Sequence, residues 1–196
     1  DTFGFPASLP QICRLAGLDT FITNKIAWCE TNRFPHVTFD WRGIDGTEVL
    51  THFTPGHNYN SSIEPRDFID AEHRLNESDG ARGGSWLQPY GWGDGGGGPD
   101  REQMLNAEFA KGAAGLPEIE MTSATEFCRT LHSESEALGS RPVWDGELYL
   151  ELHRGTYTTH ARLKAANRDS ERALREIEAL GLIDVPGSGD EHAHRV

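Results

Sequence analysis

Val37-Thr-Phe-Asp-Trp41 and Thr47-Glu-Val-Leu-Thr-His-Phe53 stand on either side of Arg42-Gly-Ile-Asp-Gly46. Both outer segments are rich in β-branched and aromatic residues, which favour strands. Asp-Gly is a dipeptide that favours a tight turn between two strands. The stretch therefore predicts a β-hairpin whose turn lies at Asp45 and Gly46.

Helices and strands are predicted to alternate around this hairpin. Strands are expected at residues 21–23, 85–90 and 118–121, and helices at residues 8–17, 65–75 and 99–114. Ser123-Ala-Thr-Glu126 predicts a capping box at the start of a further helix, because the serine hydroxyl and the glutamate carboxylate can each accept from a free backbone N–H. Such alternation is typical of an α/β domain with mainly parallel strands.

The pattern changes in the last part of the chain. Leu163, Ala166, Ile177 and Leu180 recur at helical spacing, and Gly181 follows them as a plausible C-cap. Residues 159–180 therefore predict one long amphipathic helix.

Composition excludes several classes of partner. The formal net charge of -13 argues against a duplex nucleic acid or an anionic membrane as partner, whereas a neutral sugar remains compatible. No stretch approaches the roughly 20 consecutive apolar residues that a membrane span needs. Cys13, Cys29 and Cys128 lack the spacing of a disulfide framework or a cysteine zinc site, so we expect reduced thiols.

Three motifs follow one another along the chain. They are Asp1-Thr-Phe-Gly-Phe-Pro-Ala-Ser-Leu-Pro-Gln11, Gly91-Trp-Gly-Asp-Gly-Gly-Gly-Gly-Pro99 and Pro142-Val-Trp-Asp-Gly-Glu-Leu-Tyr-Leu-Glu-Leu-His-Arg-Gly-Thr156. In this order they resemble the α-mannosidases of glycoside hydrolase family 38, and most closely the cytosolic and bacterial branch. The resemblance extends to about Arg168.

The resemblance implies a fold and a domain division. We expect an α/β fold made of the C-terminal part of a (β/α)7-type barrel, followed by the first helix of a helical bundle. Residues 1–157 would be the partial catalytic barrel domain, and residues 158–196 would begin the helical domain. Because Asp1 opens inside the first motif, we also expect the chain to be a fragment of the catalytic region.

The resemblance also implies the chemistry. Cleavage of a glycosidic bond with retention uses two carboxyl groups about 5 Å apart, one as nucleophile and one as acid/base. By motif position Asp1 would be the nucleophile and Asp94 the acid/base. For Asp94 the alternative is a turn residue in a glycine-rich loop. A phosphate-binding loop is a weaker interpretation, because the sequence after Gly98 lacks the Gly-Lys-Ser/Thr ending.

A metal ion is implied for the same site. In the family the nucleophilic aspartate also ligates zinc, so Asp1 would be a zinc ligand here, with cobalt as an alternative metal. A divalent cation keeps such a carboxylate ionised and can orient sugar hydroxyls. The other ligands would lie outside this chain. His192 and His194 lie in a polar tail, and we expect them to be solvated rather than ligating.

Eight residues are expected to contact the substrate. A tryptophan face can stack on a sugar and a lysine can bind its hydroxyls, although packing is an equally good interpretation of Trp28. Relatives often carry asparagine or aspartate where Cys29 and Glu30 stand. The expected substrate-binding residues are Lys25, Trp28, Tyr59, Asn60, Trp92, His153, Arg154 and Tyr157.

The leading hypothesis is a zinc-dependent retaining α-mannosidase that removes terminal α-linked mannose from oligosaccharides. Its partner would be a mannose-containing oligosaccharide, its location cytoplasmic, and the full-length parent could be a homo-oligomer. One alternative is a non-catalytic carbohydrate-binding or structural remnant of a barrel hydrolase. Another is a different barrel hydrolase of related design. A His-x-Asp pair upstream in the open reading frame would favour the mannosidase.

We expect the isolated 196-residue chain to be inactive. The implied zinc ligands other than Asp1 lie outside it, so the site cannot assemble. Incubation of the chain with an aryl α-mannoside and added zinc should release no aryl alcohol above the blank. Steady release that depends on protein concentration would contradict this expectation.

Overall fold

A computed structural model gives the structure of the chain and describes residues 3–78 and 84–181. A first compact unit ends at His153, and a second begins at Arg154. The helices are α1 (Leu9–Leu15), α2 (Pro65–Asn76), α3 (Arg101–Ala110), α4 (Ala124–Leu138) and α5 (Ala161–Gly181). The strands are β1 (Thr20–Thr23), β2 (Thr38–Arg42), β3 (Glu48–Phe53) and β4 (Val143–Asp145), and two 3₁₀ turns lie at Lys25–Trp28 and Arg154–Tyr157.

The first unit is built on a four-stranded sheet with strand order β1-β3-β2-β4. Strands β2 and β3 form the predicted antiparallel hairpin, in which Thr38 pairs with His52. The Thr47 N–H donates to Asp45 Oδ1 at 2.9 Å, and Gly46 takes a φ of +84°, which favours glycine. Strand β1 runs parallel to β3, and β4 runs parallel to β2. The hairpin prediction is confirmed.

The prediction of a partial (β/α)7-type barrel followed by a bundle helix is wrong. Residues 3–78 and 84–181 contain one open mixed sheet, and the pair at its centre is antiparallel rather than parallel. The physical reason is the two-strand hairpin, whose short turn reverses the chain without a helical crossover. Between β3 and β4 the described chain adds helices and loops but no further strand to this sheet.

Two segments predicted as strands are not strands. Residues 118–121 have no strand assignment, and residues 85–90 make one isolated bridge, between Ser61 and Tyr90. Two backbone N–H groups of residues 85–90 donate to side chains instead of to a neighbouring strand. The Ser85 N–H donates to Glu134 at 2.8 Å, and the Leu87 N–H donates to Nε2 of buried His52 at 3.3 Å. Pro89 offers no N–H to a ladder.

His52 connects the hairpin to this segment as a neutral side chain. Burial lowers its pKa to about 3, because a charged imidazolium would lose its hydration. Its Nδ1 lies 2.9 Å from Thr38 Oγ1. Since Nε2 accepts from Leu87, Nδ1 carries the proton and donates to Thr38.

Both faces of the sheet are covered. Alternation along β2 turns Phe39 and Trp41 to one face, where each is 0% exposed, and the Trp41 Nε1–H donates to the Gly146 carbonyl at 2.6 Å. On the other side Leu50 of β3 packs against Phe127 of α4. The core of the first unit is therefore aromatic on one face of the sheet and helix-covered on the other.

The predicted helices are confirmed, with different caps in places. Ser123 Oγ accepts from the Glu126 N–H at 3.2 Å, but the Glu126 carboxylate contacts Arg129, so the reciprocal half of the expected capping box is replaced by an ion pair. In the second unit α5 contains no buried residue among those described, and Gly181 is part of the helix rather than a cap after it. Among the described helices, none is long and apolar enough to cross a membrane.

The aromatic face should carry much of the stability of the first unit. Replacement of buried Phe39 by Ala should lower the free energy of unfolding by about 3–5 kcal/mol, the usual cost of emptying an aromatic core position. The same replacement by Ala at Phe109, which is 76% exposed, should change the free energy of unfolding by no more than about 0.5 kcal/mol. Urea unfolding followed by circular dichroism measures both. Equal costs would contradict this assignment of the core.

Candidate active site

The sheet brings two loops to the same edge. Strands β1 and β3 are parallel and end together, with Thr23 opposite Phe53. The chain after β1 forms the 3₁₀ turn Lys25–Trp28, and the chain after β3 continues as residues 54–60. In a 3₁₀ turn residues three apart share a face, so Lys25 and Trp28 point to the same side.

Lys25 lies among aromatic rings. Lys25 is only 6% exposed. Its Nζ atom is 4.1 Å from the ring centroid of Trp28 and 4.7 Å from that of Tyr59. The ring of Phe3 is 5.8 Å away. Cation–π attraction to these faces stabilises the ammonium at a largely buried position. Three segments distant in sequence thus meet around one charge.

His153 extends the same group of rings. Its ring centroid is 4.5 Å from that of Phe3 and 6.3 Å from that of Trp28. Phe3 belongs to the first motif, and Asp1, the expected nucleophile and metal ligand, lies outside the described residues. We call Phe3, Lys25, Trp28, Tyr59 and His153 the aromatic cluster.

Asp94 joins this cluster through Tyr59. The glycine loop, residues 91–98, is closed by paired backbone hydrogen bonds between Trp92 and Gly98, of 2.7 and 3.1 Å. Within it Asp94 is exposed and takes a left-handed φ of +55°. The Tyr59 hydroxyl donates to Asp94 Oδ1 at 2.8 Å, and this hydrogen bond raises the pKa of Tyr59 above its usual value.

The other expected substrate contacts are placed differently. Asn60 Oδ1 accepts from the Gly93 N–H at 2.6 Å, so its side chain is engaged by the glycine loop. The exposed Trp92 donates from Nε1 to Asp100 Oδ2 at 2.8 Å, at the start of α3. Arg154 and Tyr157 belong to the 3₁₀ turn of the second unit, where Arg154 is exposed.

The described residues supply no metal site. No group of three or more His, Cys, Asp or Glu side chains within residues 3–78 and 84–181 has a geometry that could hold a metal ion. Asp1, His192 and His194 lie outside those ranges. The donor set described here therefore does not by itself fit zinc or cobalt.

Two cavities of the first unit are lined by none of the expected site residues. One of about 520 Å³ is lined by Trp86, Tyr90 and Phe127 among others. The second, of about 410 Å³, is lined by His57 and Arg74 among others. Burial, with Arg74 and Arg33 nearby, lowers the pKa of His57 to about 4, so the second cavity presents a neutral imidazole at pH 7.

Sequence reasoning missed two residues of the site. The sequence predicts no role for Phe3 beyond its place in the first motif, yet its ring contacts His153 and faces Lys25. It predicts no role for Gly93 either, although a Cβ there would lie 2.6 Å from Asn60 Oδ1. The aromatic residue two places after Asp1 was a usable signal for the first. For Gly93 the sequence carries no signal, because five further glycines, at positions 91 and 95–98, stand in the same loop.

Comparison with known proteins gives a family match and several relatives. The model of the glycosyl hydrolases family 38 N-terminal domain matches residues 1–147. The chain is 41% identical over 188 residues to "Alpha-mannosidase 2C1" of Homo sapiens, which covers 96% of this chain. It is 43% identical over 180 residues, or 92% of the chain, to "Alpha-mannosidase G" of Dictyostelium discoideum.

A yeast relative gives the same result. The chain is 38% identical over 184 residues to "Alpha-mannosidase" of Saccharomyces cerevisiae, across 91% of its own length. The alignments cover 18%, 16% and 17% of the human, Dictyostelium and yeast proteins. The chain thus spans less than a fifth of the length of these curated relatives.

The bond between Tyr59 and Asp94 predicts a change in titration. Asp94→Asn weakens the hydrogen bond that the Tyr59 hydroxyl donates and removes the negative charge beside it, so the pKa of Tyr59 should fall towards its ordinary value of about 10. Carbon-13 NMR of the tyrosine Cζ atoms across a pH titration reports this directly. Asp45→Asn, in the hairpin turn, is the matched control and should leave Tyr59 unchanged. An unaltered Tyr59 titration in Asp94→Asn would contradict the contact.

Proposed function

Because the chain belongs to glycosyl hydrolase family 38, we propose that the whole protein containing it is a retaining α-mannosidase. Its substrate is the terminal α-linked mannose of an oligosaccharide. The relatives that carry the name α-mannosidase support this proposal, as does their similarity across more than nine-tenths of the chain.

The observation that carries the proposal is the meeting of Asp94 with the aromatic cluster. Aromatic faces stack on the C–H groups of a sugar ring, and the Lys25 ammonium can donate to its hydroxyls. Tyr59 joins both features, since its ring faces Lys25 and its hydroxyl binds Asp94. A carboxyl group beside stacking rings supplies one of the two carboxyl groups that a retaining glycosidase needs at the bond it cleaves.

In the first step Asp94 donates a proton to the glycosidic oxygen while the Asp1 carboxylate attacks the anomeric carbon. The C–O bond to the leaving sugar breaks, and an ester bond between Asp1 and mannose forms. In the second step Asp94 accepts a proton from water, whose oxygen attacks the anomeric carbon. The ester bond breaks, mannose leaves with its configuration retained, and Asp1 is again a carboxylate.

Binding of the sugar is assigned to three members of the aromatic cluster and to residues beside it. Trp28 and His153 provide ring faces, and Lys25 provides a donor. Trp92, exposed at the base of the glycine loop, is proposed as a wall of the cleft. Arg154 and Tyr157 keep their predicted role as substrate contacts of the whole protein.

A divalent metal, zinc or cobalt, remains part of the proposal through the resemblance of the first motif. When bound it would hold the nucleophile ionised and orient sugar hydroxyls. Only Asp1 of this chain is proposed as a ligand, and the others would come from elsewhere in the whole protein. A cytoplasmic location, a homo-oligomer and a domain boundary after Tyr157 are likewise proposed, with the free thiols of Cys13, Cys29 and Cys128 in keeping with that location.

The whole protein should hydrolyse an aryl α-mannoside, and Asp1→Asn should lower kcat on the order of 10³-fold or more, because the nucleophile is lost. Proton NMR of the released sugar should show α-mannose before mutarotation. Chelator should abolish activity, and added zinc or cobalt should restore it.

Asp45→Asn serves as the control and should retain full activity. Initial release of β-mannose would contradict the retaining mechanism. A wild-type protein that binds mannosides without hydrolysing them would replace the enzyme with a carbohydrate-binding protein.

A further inference from the structure

Two consecutive residues after β3 hold the glycine loop at two points. The Asn60 side chain accepts from the Gly93 N–H at 2.6 Å, which fixes the main chain directly before Asp94. The Tyr59 hydroxyl donates to Asp94 Oδ1 at 2.8 Å, which fixes the carboxyl group itself. The backbone and the side chain of Asp94 are therefore both positioned from the same dipeptide.

This dipeptide is itself held by a frame of neighbouring residues. The Asn60 N–H donates to Asn58 Oδ1 at 2.7 Å. The next residue, Ser61, is 0% exposed, and its carbonyl accepts from Gln103 Nε2 of α3 at 3.0 Å. Ser61 also forms a bridge with Tyr90, the residue that precedes the glycine loop. The frame thus fixes both partners, the dipeptide and the base of the loop.

The contact is so close that a side chain at position 93 would displace Tyr59 or Asn60. A Cβ at Gly93 would lie 2.6 Å from Asn60 Oδ1 and 2.7 Å from a ring carbon of Tyr59. At Gly95, two residues further on, a Cβ would meet nothing within 4 Å. Two glycines of one loop therefore differ sharply in what a methyl group would disturb.

We propose that Tyr59 and Asn60 are positioning residues for Asp94. Because the Tyr59 hydroxyl is bonded to Oδ1 of Asp94, the oxygen that transfers the proton is Oδ2. This inference rests on the proposed function. When Asp94 is protonated, Oδ1 accepts from Tyr59 and the proton lies on Oδ2. In the first step this proton passes from Oδ2 to the glycosidic oxygen as the C–O bond breaks, and in the second step Oδ2 takes a proton from water.

The left-handed backbone at Asp94 explains why such support is needed. A φ of +55° is uncommon outside glycine, and aspartate tolerates it better than most residues. The side chain is exposed, so its rotamer is not set by burial. The hydrogen bond from the Tyr59 hydroxyl to Oδ1 restrains the rotamer of Asp94.

Leaving-group dependence tests the proposal. A 2,4-dinitrophenyl group departs without protonation, whereas a 4-methoxyphenyl group needs a proton from the acid. In the whole protein Tyr59→Phe, Asn60→Ala and Gly93→Ala should each lower kcat/KM about 10-fold or more for 4-methoxyphenyl α-mannoside, part of the full effect of general acid catalysis. For the 2,4-dinitrophenyl substrate the loss should stay below about threefold, and the inhibition constant of mannose should not change.

Matched controls accompany these variants. Tyr90→Phe removes a hydroxyl that lies 3.7 Å from the sulfur atoms of Met104 and Met121, and Gly95→Ala adds a methyl group in open space. Both should behave as wild type with both substrates. Tyr59→Phe removes a single oxygen atom, so it tests the proposal even if Gly93→Ala fails to fold.

Four results would overturn the proposal. Equal losses with both leaving groups, or a weaker inhibition constant for mannose in Tyr59→Phe, would make these residues sugar contacts. Identical behaviour of Gly93→Ala and Gly95→Ala would show that the contact between Asn60 and Gly93 does not position Asp94. If Asp94→Asn itself shows no leaving-group dependence while the protein remains an active mannosidase, the acid is another residue and this inference falls, but the proposed function stands.

Discussion

The parallel pairing of β1 and β3 is the constraint on which the site depends. Because parallel strands end at the same edge of a sheet, the chain after Thr23 and the chain after Phe53 emerge side by side. That register brings Lys25 and Tyr59, 34 positions apart, to 4.7 Å between ammonium and ring centroid. A shift of one residue would turn the side chains of a strand to the opposite face. The hairpin holds the register, since β3 lies between β1 and β2 and is hydrogen-bonded to both.

Local sequence signals predicted local structure well, and they predicted the sheet poorly. Asp45 and Gly46 identify the hairpin because the hydrogen bonds of the turn join residues close in sequence. Ser123 identifies the start of α4 because a cap is likewise a local hydrogen bond. Residues 85–90 have strand-like composition but no strand partner. The Ser85 and Leu87 N–H groups donate to Glu134 and His52, and no local pattern reveals these partners.

The site shows the same division between local and tertiary information. The motifs named Lys25, Tyr59, Asp94 and His153, and the structure gathers them around one group of rings. The motifs do not predict which of these residues contact one another. Tyr59 faces Lys25 with its ring and Asp94 with its hydroxyl, and Asn60 is engaged by a backbone N–H of the glycine loop. These are tertiary contacts between segments more than 30 positions apart, so their geometry depends on the sheet rather than on any single segment.

The central claim is that Tyr59 occupies one oxygen of Asp94 and leaves the other for the substrate. A crystal structure of the whole Asp1→Asn protein with an uncleaved mannoside tests it most directly. The account predicts Asp94 Oδ2 within hydrogen-bond distance, about 2.6–3.2 Å, of the glycosidic oxygen, with Tyr59 still bonded to Oδ1. A Tyr59 hydroxyl or an Asn60 amide bound to a sugar hydroxyl instead, with Oδ1 released, would contradict it.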